Sequence, residues 1–221
     1  MLEERPAITV DGLEIPGDAW TLEGFRRWFG GLGERAPRAS FLAGRLHIEK
    51  TPQSYGHHGP LVDEVNGTLR LLARELDLGR HYGPPSWITR EDVGLSTEPD
   101  GFLVAWDRFE DGRFRIDPAR DHEAIGAPTM VFEAVSPSST EKDLVELAGL
   151  YFKAGVEEYW IADARGKKLA FRILVRGPRA FRAQAPVRGW ISSRVWGRSF
   201  KLRRTTDRVG NPDFVLDSRG R

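Results

Sequence analysis

The sequence contains no cysteine, which excludes a disulfide framework, a thiolate zinc site and a cysteine nucleophile. It also lacks a long apolar run: nothing approaches the roughly 18 residues that a membrane-spanning helix needs. The N-terminus shows no basic segment followed by an apolar one, the pattern of a secretory signal. The expectation is a cytoplasmic protein with no membrane partner.

Acidic residues are missing from one region. Between Arg165 and Arg204 there are thirteen Lys or Arg and no Asp or Glu, so a chain of net charge +1 carries −12 elsewhere. Such segregation creates a positive field that can follow a phosphate backbone. The competing expectation is that these cations pair with acids elsewhere in the fold. Arg194, Arg198, Lys201 and Arg203 are the candidate nucleic-acid contacts, with DNA as the expected partner. Trp190 and Trp196 stand among these arginines. They suit a docking or base-stacking surface, or else fill the core.

What remains is ordinary for a globular chain: 40% hydrophobic and 29% charged residues, enough for one well-buried domain with a peripheral extension. Residues 1–35 read as an extension with a short helix, capped by Thr21 and closed by Gly30, Gly31 and Gly33. Residues 36–200 read as the main domain, and 201–221 as a polar, flexible tail. Ala39 to Ile48 predicts a hairpin turning at Ala43-Gly44. A helix starts at Pro60, carries Leu61, Val65, Leu69, Leu72 and Leu76 on one face, and stops at Gly79. Strands are expected near 80–82, 87–89 and 102–106, followed by a polar excursion from Asp107 to Ala127.

Next comes Met130-Val131-Phe132-Glu133-Ala134-Val135, a strand with an acid in its middle. The helix after it opens with a capping-box pattern, Ser138 and Glu141, and keeps Leu144, Leu147, Ala148 and Tyr151 on one stripe up to Gly155. Glu158 to Asp163 reads as a buried strand, followed by another from Leu169 to Val175. Strand, helix, strand in this order implies a parallel or mixed crossover, hence α/β.

Two carboxylates carry the chemistry. Asp100 follows Pro99 at the start of an apolar strand, where it suits a turn as readily as a ligand. Glu133, within so apolar a strand, needs a partner if buried: a metal, or one of the arginines. Two acids on neighbouring strand ends can hold a hard divalent cation that activates water against a phosphodiester.

Three blocks of the sequence form one pattern. They are Glu133-Ala134-Val135-Ser136-Pro137-Ser138, then Asp143-Leu144, then Tyr151-Phe152-Lys153-Ala154-Gly155-Val156-Glu157-Glu158-Tyr159-Trp160-Ile161-Ala162-Asp163. Together with Glu98-Pro99-Asp100 upstream, they resemble the Uma-type restriction endonucleases of the PD-(D/E)XK nuclease superfamily. The resemblance runs from Ala39 to Val175 and leaves out the first 35 residues and the tail beyond about Phe200. It implies a restriction endonuclease-like core, a central mixed β-sheet flanked by helices, with an N-terminal helical extension added here. It further implies a Mg²⁺ (or Mn²⁺) site on Asp100 and Glu133, DNA as substrate, and His58 assisting proton transfer or touching phosphate. Superfamily enzymes often dimerise to cut both strands, so a homodimer is a state the resemblance allows.

The chain departs from the family pattern in two places. Leu147 stands where the family supplies a lysine from the helix after the glutamate strand, Val135 having already taken the lysine place beside Glu133. Ser40 stands where the family usually has a glutamate. The alternative expectation is therefore a catalytically impaired relative that serves as a DNA-binding or protein-interaction module.

Overall fold

The computed structural model describes residues 6–10, 13–33, 36–49, 57–136 and 145–220. An antiparallel pair, β1 (Ile8–Val10) and β2 (Leu13–Ile15), leads into helix α1 (Leu22–Leu32). Then follow β3 (Arg38–Leu42), β4 (Arg45–Glu49), α2 (His58–Glu75), β5 (Gly79–Tyr82), β6 (Trp87–Arg90), β7 (Leu95–Thr97) and β8 (Gly101–Ala105). A short helix α3 (Trp106–Glu110) precedes β9 (Phe114–Asp117), β10 (Arg120–Gly126) and β11 (Met130–Ala134). The chain continues through α4 (Leu147–Ala154), β12 (Glu158–Asp163), β13 (Ala170–Arg176) and β14 (Phe181–Ala183), and closes with β15 (Ile191–Ser192), β16 (Arg198–Thr206) and β17 (Pro212–Gly220).

Most local signals act as the sequence suggests. Thr21 accepts a hydrogen bond from the Gly24 N–H at 3.0 Å and starts α1. Ala43 and Gly44, with φ of 48° and 89°, make the tight turn of the β3–β4 hairpin. Gly155 ends α4 at φ 97°. Strands β11 and β12, on either side of α4, pair in parallel, as the crossover requires.

The strands form two six-stranded sheets and a smaller one. The first runs β4-β3-β7-β6-β10-β9, the second β14-β13-β12-β11-β8-β5, and the third β15-β16-β17. The second is the central layer, mixed in direction, and strand alternation gives it two buried faces. One face presents Phe102, Val104, Val131, Tyr159 and Ile161 to α4 and to the first sheet. The other presents Leu103, Met130, Phe132 and Trp160 to α2 and the third sheet. Helix α1 covers the outside of the first sheet, where Phe25 packs with Ala39, Phe41 and Trp87. This is a mixed α/β architecture with a central sheet flanked by helices, as expected.

Several expectations need correction. The segment after Thr205 is not a frayed tail. β17 pairs with β16 over nine residue pairs and buries Phe214 and Leu216 against α2 and Trp196. Its alternation of buried Phe214 and Leu216 with less buried neighbours is that of a strand with one covered face. The excursion from Asp107 to Ala127 is no loose loop either, because β9 and β10 complete the edge of the first sheet. Helix α2 begins at His58 rather than Pro60 and stops at Glu75, where Asp77 turns left-handed at φ 47°. Gly79 instead opens β5, at a point where a Cβ would meet the Val104 carbonyl oxygen at 2.1 Å. Trp196 is 2% exposed and belongs to the core, whereas Trp190 lies under the Arg219 guanidinium. The expected capping box of Ser138 and Glu141 lies outside the described residues, as does most of the loop before α2.

Candidate active site

The chain passes from the first sheet to the second through Glu98-Pro99-Asp100, the bend between β7 and β8. Antiparallel register pairs Phe132 of β11 with Gly101 of β8. Glu133 therefore comes level with Asp100. The two acids hold each other through the backbone: the Asp100 N–H donates to Glu133 Oε2 at 3.3 Å, and the Ala134 N–H donates to Asp100 Oδ2 at 2.8 Å. Each residue is 2% exposed. From α4, the Tyr151 hydroxyl donates to Glu133 Oε1 at 2.8 Å.

Two further side chains close on Asp100. His58, at the start of α2, brings Nε2 to 3.3 Å from Oδ2, and its Nδ1 has no hydrogen-bond partner among the described residues. Arg38 on β3 places a guanidinium nitrogen 2.8 Å from Oδ1 and donates to the Glu98 carbonyl. The Arg38 contact is an ion pair whose angles fall outside hydrogen-bond geometry, so Oδ1 is buried without a donor. Burial pushes the Asp100 carboxyl up. The Arg38 charge, the His58 contact and the Ala134 N–H outweigh that push and hold its pKa down at about 2. For Arg38, burial acts to lower the pKa, but Asp100, Glu49 and Glu133 together raise it above the ordinary value.

The structure thus brings Asp100, Glu133 and His58 together, and adds Arg38 and Tyr151. Arg38 was not foreseen, although period-two alternation puts it on the same face of β3 as Ser40. The Ser40 hydroxyl is engaged with Thr97 Oγ1 at 2.8 Å. Leu147 is fully buried in the apolar cluster one helical turn before Tyr151, with Val131 and Val135. Asp143 lies outside the described residues.

The four basic candidates at the C-terminal side do not share one face. Alternation along β16 puts Arg198 with the core-facing Phe200 and Leu202, and puts Lys201 and Arg203 on the opposite side. Arg203 is paired with Asp217 of β17 at 2.6 Å, while Arg194 sits in the turn before β16.

Asp100 Oδ1 and the Glu133 carboxylate are hard oxygen donors of the kind Mg²⁺ takes, since that ion keeps several waters and needs few protein ligands. Among the described residues, no group of three His, Asp or Glu side chains forms a ready cage. The Arg38 guanidinium lies against Asp100 Oδ1, so an ion on that oxygen would displace it.

A central mixed sheet between helices is the architecture of the restriction endonuclease-like fold class. The family model described as "Putative restriction endonuclease", Uma2, matches residues 22–193, and the chain belongs to that family. The match takes in α1, so this helix is not outside the family region as the resemblance had suggested. The fold is similar to that of a crystal structure described as "a putative nuclease belonging to DUF820" from Anabaena variabilis. The TM-score is 0.59 at 17% identity, over 80% of this chain and 90% of that one. No curated protein matches the sequence. No helix among the described residues is long and apolar enough to cross a membrane.

Proposed function

We propose that the chain is a DNA endonuclease that hydrolyses phosphodiester bonds where Asp100 and Glu133 meet. One observation carries this reading: two buried carboxylates converge at the bend between sheets, and one of them is held ionised. Asp100 Oδ1 and Glu133 would hold Mg²⁺ or Mn²⁺. Bound there, the ion supplies Lewis-acid activation of water and neutralises charge on the phosphate. The chain's own groups orient this centre. Tyr151 and the Asp100 N–H fix the Glu133 carboxylate. His58 braces Asp100 through Nε2 and keeps Nδ1 available for a proton. Arg38 must swing away from Oδ1 for the ion to take its place.

The 2.8 Å contact between Arg38 and Asp100 also favours a second reading. With Leu147 in the lysine place and Ser40 in the glutamate place, the chain is then an impaired relative that binds DNA, or a protein partner, without turnover.

The test is nicking of supercoiled plasmid with Mg²⁺ or Mn²⁺, beside a Glu133→Gln control. Metal-dependent nicking that the control abolishes supports the endonuclease. Absence of nicking, with activity appearing in Ser40→Glu plus Leu147→Lys, supports the impaired relative.

A further inference from the structure

A groove follows the seam between α2 and the edge strand β5, beginning at the first turn of α2. A cavity of about 230 Å³ starts at Gly59, next to His58, and reaches Arg70, Gly83 and Pro84. A larger cavity of about 680 Å³ shares those three residues and continues past Arg74 and Arg80 to Trp106. The floor joins the groove to the site. His81 Nε2 donates to Asn66 Oδ1 at 2.7 Å, and Asn66 Nδ2 donates to the Asp100 carbonyl at 2.8 Å. Burial, and then the Arg70 charge, pushes the His81 pKa down to about 3, so its ring is neutral.

The groove wall carries three arginines beside two acids, Asp63 and Asp77. Arg70, Arg74 and Arg80 are exposed, and none has an ion pair among the described residues. Arg70 and Arg74 lie one helical turn apart on the same face, about 6 Å along the axis. Arg80 rises from β5 with its guanidinium 5.3 Å from the Tyr82 ring centroid. At the far end Trp106 is 43% exposed, and its indole N–H donates to Asp77 at 2.9 Å, which fixes the ring. A row of free guanidinium groups ending at an anchored, exposed indole suits phosphates followed by a stacked base. Cavities of this volume hold a few nucleotides rather than a duplex.

We propose that this groove binds a single-stranded segment of DNA, with Arg70, Arg74 and Arg80 on its phosphates and a base against Trp106. The proposal rests on the nuclease reading for its choice of DNA, but it is tested without turnover. Binding of a labelled DNA 12-mer is followed by fluorescence anisotropy in EDTA over a salt series. The variants are Arg70→Ala/Arg74→Ala/Arg80→Ala, Trp106→Ala, and a control that replaces Arg194, Arg198, Lys201 and Arg203.

The triple variant is expected to bind at least tenfold more weakly, with its log–log salt slope shallower by about 2. Trp106→Ala loses roughly tenfold with the slope unchanged. Because the exposed substitutions leave the core intact, unfolding midpoints should match wild type. Unchanged affinity and slope in the triple variant overturn the proposal. So does a loss confined to the control, tighter binding of an RNA 12-mer, or absence of binding by wild type. Plasmid nicking judges the nuclease reading separately, so the groove can fail while that reading stands.

Discussion

The Arg38 guanidinium lies 2.8 Å from Asp100 Oδ1, with side chains 11% and 2% exposed, so the protein brings its own cation to the first of its two acids. Two carboxylates this deeply buried could not both ionise in an apolar setting without a counter-charge. Arg38 supplies it from a strand of the other sheet. The same contact stabilises the buried acid and would compete with any other cation drawn to that oxygen.

Arg38→Met is therefore expected to destabilise the fold by about 3–5 kcal/mol, the usual cost of leaving one partner of a buried pair uncompensated. Urea denaturation measures this. Millimolar Mg²⁺ should then raise the melting temperature of the variant more than that of wild type, because the ion can occupy the vacated position. Equal shifts in the two proteins would mean that the acids do not take a metal there.

The Asp100 pKa predicts an acid limb in the stability curve. Its folded value of about 2 lies below the ordinary 3.8. The stabilisation is thus fully present above the unfolded value and is lost as pH falls through the folded one, a change of about 2 kcal/mol. Denaturation of wild type and Asp100→Asn between pH 5 and 2 tests this. The variant should be less stable throughout and should lack this part of the slope.

Arg26 of α1 reaches across the first sheet to Glu123 of β10, its Nε at 2.8 Å and a terminal nitrogen at 3.1 Å from the two carboxylate oxygens. Glu123 is 1% exposed, and its other cation, Arg120, stands off at 3.4 Å. Arg26→Ala should cost about 3 kcal/mol in denaturant unfolding. Arg26→Lys should recover little of it, because an ammonium cannot make the bidentate contact.

Phe214 is 1% exposed between α2 and the third sheet. Phe214→Ala is expected to lower unfolding free energy by about 3–5 kcal/mol. Removing residues 207–221 should go further and give a chain that aggregates, since it strips β16 of its nine-residue partner β17 and takes Phe214 and Leu216 from the core that holds Phe200 and Leu202. A frayed segment could be removed without either effect.

The elements around Glu133 were legible because their signals are local. The apolar run of β11, the stripe of α4 with Gly155 behind it, and the apolar β12 each sit within one short window. Together they dictate a parallel crossover that carries an acid on its first strand. Asp100 was legible as a second acid at a strand start, and His58 as a candidate only through the family resemblance, with its contact to Asp100 unmarked in the sequence.

Arg38 was not legible as the partner of Asp100, nor Arg26 as that of Glu123. These residues are 62 and 97 positions apart, and one arginine among many carries no mark of which acid it will meet. The tail was misjudged for a related reason. Phe214 and Leu216 alternate correctly for a strand, but their value depends on an uncovered face of α2 and on β16, which the segment alone does not reveal. The four basic residues near the C-terminus, clustered in sequence, were divided between two faces by the pleat of β16. Periodicity and turn chemistry act over a few residues and are written in the chain. Charge pairing, sheet order and the covering of faces arise only when distant segments share a boundary, and those contacts set both the counter-charge at the acids and the groove beside them.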